Sequence, residues 1–99
     1  MGIPRQININ SSNGTVTFDP SVRDANILDQ IFWTNNDKTQ PHWPGLADST
    51  GKVTNPTFFM PNQIAPNGDT SPIFSPSNPA TYQYACSLHP NEKGTIKIT

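Results

Sequence analysis

Eleven prolines run through this 99-residue chain, from Pro4 to Pro90, and they constrain the fold more than any other feature. A proline inside a helix removes a backbone donor and clashes with the preceding turn, at a cost of about 3 kcal/mol. Only residues 21 to 31 combine freedom from proline with some helical apolar spacing, through Val22, Ile27, Leu28 and Ile31. The body of the chain is therefore expected to be strands and turns, an all-β fold. A hydrophobic content of 32% suffices for one thin core and not for two, which predicts a single domain over residues 1–99.

Period-two alternation marks the strands. Gln6-Ile7-Asn8-Ile9-Asn10 and Thr15-Val16-Thr17-Phe18 alternate polar and apolar residues about the turn Ser11-Ser12-Asn13-Gly14, and Asp19-Pro20-Ser21 ends the second run. Residues 22 to 27 are ambiguous between strand and helix. The run from Leu28 to Asn36 is rich in β-formers and reads as a central strand. Phe58, Phe59 and Met60 are expected as a lid over one end of the core. Asn67-Gly68-Asp69 is a tight turn, and Thr70 to Ser75 a short strand that Pro72 confines to an edge. Ala80–Cys86 and Gly94–Thr99 are the clearest strands, joined by a loop. About seven strands separated by turns predict a two-sheet sandwich.

Charge excludes some partners. Charged residues make up 13% of the chain and the net charge is −1, so no basic field exists to hold nucleic acid or an anionic membrane. No apolar run approaches the roughly 20 residues that span a bilayer, and no charged start with an apolar stretch marks a secretion signal. Any membrane attachment is expected to be a tether outside this sequence.

The chemistry is concentrated in two short segments. One cysteine and two histidines are all that the chain contains, and they lie in Pro41-His42-Trp43 and in Cys86-Ser87-Leu88-His89. One thiolate and two imidazoles form the equatorial set of a trigonal copper site, with a weaker fourth ligand left to tune it. Pro41 and Pro44 around His42 restrict the backbone and hold its imidazole in a narrow range of positions. A structural zinc site would normally take a fourth Cys or His, which the chain lacks.

Trp33-x-Asn35-x-Asp37 followed by His42, and Tyr82-x-Tyr84-x-Cys86-x-x-His89-Pro90 leading into Gly94-Thr95-Ile96, resemble the cupredoxins, the small copper proteins such as plastocyanin, amicyanin and halocyanin. Asn67-Gly68-Asp69 resembles the family's turn before its penultimate pair of strands. The resemblance implies a cupredoxin-like Greek-key β-sandwich and carries His42, Cys86 and His89 over as the three equatorial ligands of one copper ion. It also places the backbone N–H groups of Trp43 and Leu88 near the cysteine sulfur; these two residues stand where many relatives have Asn and Pro, so Asn35 is the candidate to hold the loop of His42 instead.

The fourth ligand departs from the family pattern. In the family's shortest ligand loops, Pro, any residue and Met follow the last histidine, and the methionine is the weak axial ligand. Here the matching run is Pro90-Asn91-Glu92, so Glu92 is the candidate; the alternatives are Met60, whose loop could fold over the metal, a water, or no fourth ligand. An anionic oxygen favours Cu(II) over Cu(I), lowers the potential and weakens the copper–thiolate bond, giving a red or green protein. Because a carboxylate can be protonated, colour and potential should depend on pH, with a blue form in acid.

The resemblance implies a monomeric carrier of single electrons between redox proteins, not an enzyme, in a periplasmic or other extracytoplasmic compartment. An apolar rim of Leu88, Pro90, Pro41, Pro44 and Trp43 around His89 is the expected docking face. Three alternatives stand beside this reading: an open copper site that binds a small molecule such as nitric oxide or oxygen, a copper carrier, and the copper module of a larger oxidase or reductase.

Overall fold

The computed structural model describes residues 2–89 and 91–99. Nine strands are present among them: β1 (Pro4–Ser12), β2 (Thr15–Asp19), β3 (Val22–Ala25), β4 (Gln30–Asn35), β5 (Pro44–Ala47), β6 (Val53–Asn55), β7 (Asp69–Thr70), β8 (Ala80–Cys86) and β9 (Lys93–Ile98). They form a four-stranded sheet in the order β2-β1-β4-β7 and a five-stranded sheet in the order β3-β9-β8-β5-β6. Two pairs are parallel, β1 with β4 and β3 with β9, and the others are antiparallel. The all-β sandwich is as expected, with nine strands in place of about seven.

Alternation accounts for the core. Ile7 and Ile9 of β1, Phe18 of β2 and Ile31 and Trp33 of β4 face Tyr84 and Cys86 of β8 and Ile96 and Ile98 of β9. Tyr84 stands edge-on to both Phe18 and Trp33, with centroids 4.9 and 5.3 Å apart, the geometry that the ring quadrupoles favour. The β1–β2 connection is a two-residue turn, Asn13-Gly14, and both residues have positive φ, as the twist of a tight hairpin requires.

Two local expectations are corrected. Phe59 and Met60 are not a lid: both are buried in the core beside Trp33 and Ile64. The strand expected from Thr70 to Ser75 shrinks to Asp69–Thr70 at the sheet edge, followed by a single bridge from Phe74 to Ile31. Pro72 cannot donate to the ladder. Ser71 fills the gap: its N–H donates to the Trp33 carbonyl and its hydroxyl accepts the Trp33 N–H, both at 2.9 Å.

The inward rows of β4 and β8 position the site. Along β4 the inward residues run Ile31, Trp33, Asn35, and along β8 Tyr82, Tyr84, Cys86. Both rows pass from apolar to polar at the same pole of the sandwich.

Candidate metal centre

Four side chains converge at that pole. One ligand atom each of His42, Cys86, His89 and Glu92 lies within 4.8 Å of all the others. His42 Nδ1 is 3.0 Å from Glu92 Oε1 and 3.7 Å from Cys86 Sγ. His89 Nδ1 is 3.4 Å from the same sulfur and 3.8 Å from the same carboxylate oxygen. Tetrahedral ligands about 2.0–2.3 Å from one ion stand about 3.3–3.8 Å from one another. The spacing of the donors and their chemistry, two imidazoles, a thiol and a carboxylate, fit a single metal ion.

Each donor is placed by a different device. Cys86 ends β8, where its N–H donates to the Glu92 carbonyl at 2.9 Å; this closes the loop on itself. The loop returns through Asn91, which holds a positive φ of 78°, a conformation that asparagine tolerates better than most residues. His42 sits in the connection from β4 to β5 and is anchored to Ile64 by a pair of backbone hydrogen bonds. Asn35 pins this region: its amide donates to the carbonyls of Gln40, Ile64 and Ala65. That is the loop-holding role expected of it.

Exposure separates the two imidazoles. The His42 side chain is fully buried, whereas that of His89 is 32% exposed. The Trp43 N–H donates to Cys86 Sγ at 3.4 Å, as expected. Among the described residues no matching bond from Leu88 reaches the sulfur. The expected apolar rim is only partly present. Leu88 is exposed and Pro41 and Trp43 are half-buried, but Pro44 is buried as the first residue of β5; Pro90 lies outside the described residues.

Asp37 is the site residue that sequence reasoning missed. Its Oδ2 is 3.0 Å from His42 Nε2, with both side chains buried. Burial alone would raise its carboxyl, but hydrogen bonds from His42, Thr39 and Gln40 outweigh that and hold it below the ordinary carboxylate range. Burial alone would likewise lower the His42 imidazole. Hydrogen bonds with Cys86 and Asp37, together with the charge of Glu92 and Cys86, outweigh that and raise it from 6.5 to about 9. A cleft of about 430 Å³ opens beside the cluster, between the β1–β2 hairpin tip at Ser11 and Gly14 and the residues Thr39, His89 and Glu92.

No protein-family model and no curated protein matches the chain. Solved structures do. A purple cupredoxin from Nitrosopumilus maritimus is 25% identical over 96% of this chain and 99% of its own, with a TM-score of 0.78. A mutant plastocyanin of fern is 17% identical over 95% of this chain and 99% of its own, with a TM-score of 0.74. A copper-containing nitrite reductase from Thermus scotoductus is 21% identical over 98% of this chain but only 22% of its own, also with a TM-score of 0.74. With two sheets in this order and likeness over nearly its whole length to these structures, the chain folds as a cupredoxin.

Proposed function

We propose that the protein binds one copper ion through His42 Nδ1, Cys86 Sγ, His89 Nδ1 and Glu92 Oε1, and carries single electrons between protein partners. The observation that carries this reading is the convergence of those four donors within 4.8 Å at the end of a cupredoxin sandwich. Copper supplies a one-electron couple. The chain's part is to hold the donors on two strand ends and a pinned loop, so that little rearrangement accompanies a change of charge.

The remaining residues divide the work. The buried His42 and the Trp43 N–H shield the sulfur side, and a donor on the thiolate favours the reduced ion by drawing electron density from it. His89 presents the exposed imidazole edge beside Leu88, and electrons enter and leave there. Weak redox encounters use small patches that dissociate quickly, and the near-neutral chain relies little on electrostatic steering. The reading includes a monomeric single domain working in a periplasmic or other extracytoplasmic compartment. Among the described residues no helix is long and apolar enough to cross a membrane.

The test is the absorption and EPR spectrum of the copper-loaded protein beside that of Glu92→Gln. A red or green parent and a blue variant are expected. Identical blue spectra would remove Glu92 from the ligand set.

A second reading draws support from the cleft beside His89 and Glu92: a small molecule reaches the copper, as in an enzyme. Spectral change on adding azide or nitric oxide to the loaded protein is its test.

A further inference from the structure

Asp37 stands outside the four converging donors, and its burial needs a reason, because a carboxylate removed from water is costly unless it is paired and hydrogen-bonded. Only 4% of its side chain is exposed. Its two oxygens do different things. Oδ1 accepts the Thr39 N–H at 3.0 Å, the Thr39 hydroxyl at 3.3 Å and the Gln40 N–H at 3.3 Å. Oδ2 meets His42 Nε2. The Asp37 N–H donates to Asn35 Oδ1 at 3.0 Å, and the Asn35 amide binds the carbonyls on both sides of the His42 pocket. A loop that only needed a turn would be served by Oδ1 alone. Here the second oxygen is aimed at the outer nitrogen of a fully buried imidazole.

We propose that Asp37 is the positioning residue of the copper site: it accepts the His42 Nε2–H, fixing the tautomer and ring orientation that turn Nδ1 toward Cys86 and Glu92, and its charge makes that imidazole a stronger donor to Cu(II). The inference rests on the copper reading above and adds to it a carboxylate on the far side of a ligand. Outer partners of this kind fix ligand orientation and raise basicity, and losing one typically costs about 10–100-fold in metal affinity. His42 thus lies between two carboxylates, Glu92 on its inner nitrogen and Asp37 on its outer one.

The first experiment is NMR of the zinc-loaded parent, which does not depend on copper chemistry. A slowly exchanging His42 Nε2–H is expected. An unprotonated Nε2 overturns the proposal without any variant having to fold. The second compares the copper-loaded parent with Asp37→Asn, which keeps an acceptor oxygen and removes the charge, and with Asp37→Glu. In Asp37→Asn, Cu(II) affinity by chelator competition should fall about 10–100-fold. Each tenfold loss of preference for Cu(II) over Cu(I) should raise the potential by about 59 mV. Asp37→Glu should recover part of both. If Asp37→Asn lowers thermal stability but leaves affinity and potential where they were, Asp37 only holds its loop and the proposal fails. A parent that takes zinc but shows no copper-thiolate absorption would sink the copper reading while leaving the orientation of His42 measurable.

Discussion

The Tyr84 phenol lies directly over Gly94, its partner across the β8–β9 ladder, so that a Cβ added to Gly94 would overlap the ring carbons and the hydroxyl oxygen. The contact sits two residues inside Cys86, so the strand that carries the thiol is held by a glycine in its neighbour. Gly94→Ala should destabilise the fold by about 1–3 kcal/mol, the usual cost of overpacking a core. Denaturant titration measures it. Tyr84→Phe should be close to neutral alone, because the hydroxyl is buried with no partner among the described residues, and should soften the effect of Gly94→Ala in a double-mutant cycle.

Asn35 is fully buried, and its side chain makes three donor bonds and one acceptor bond. Replacing it by alanine leaves the buried Asp37 N–H without its acceptor and takes a donor from the carbonyls of Gln40, Ile64 and Ala65. Each such group costs about 1–3 kcal/mol, so Asn35→Ala should lose roughly 3 kcal/mol in thermal or chemical unfolding. Metal affinity should fall as well, since the same bonds fix the loop of His42.

Leu28 adopts a positive φ of 69° while remaining exposed. The left-handed region costs an ordinary residue about 1–2 kcal/mol, and asparagine visits it more readily. Its N–H donates to the Pro76 carbonyl and its own carbonyl accepts from the Ser75 hydroxyl, so the backbone there is held in place. Leu28→Asn should therefore stabilise the protein by about 0.5–1 kcal/mol, visible as a higher denaturant midpoint at unchanged slope.

Acid should weaken the fold at Asp29. The N–H groups of Asn26 and Ile3, helped by Arg5, lower its carboxyl from 3.8 to about 2. A depressed acid contributes stability that is present above the unfolded value and lost as pH falls through the folded one. Melting temperature should drop between about pH 4 and pH 2, and Asp29→Asn should flatten that part of the profile.

The metal-free protein should respond in the opposite direction at high pH. With His42 raised from 6.5 to about 9, its protonated form adds stability that is complete below 6.5 and lost as pH rises through about 9. Metal must displace that proton. Melting of the metal-free protein should fall between those values, the loaded protein should not follow it, and metal affinity should rise with pH across the same window.

Much of the site was legible because its donors are rare residue types in short segments. Cys86, His89 and Glu92 share one loop between two cleanly alternating strands, so their proximity follows from local geometry. His42 is joined to them by its ligand chemistry and by resemblance to a family, since nothing in spacing alone folds residue 42 against residue 86. Asp37 enters only as part of the Trp33-x-Asn35-x-Asp37 motif, with no role assigned to it. An acidic residue in a polar loop looks like any solvated one until the chain is folded. Phe59 and Met60 were misplaced for a related reason: a segment full of prolines and turns has no periodicity from which to tell a core residue from a cover.

The parallel pairing of β3 with β9 sets residue 22 beside residue 95, and its consequence is kinetic. β3 finds this partner only after β4 to β8 have been made, and closing so long a loop costs entropy before any contact repays it. Chains dominated by such distant pairings fold in milliseconds to seconds, slower than those built from local contacts. During synthesis, β3 lacks its β9 partner while β4 to β8 emerge, so it must remain soluble as an open sheet edge through that interval.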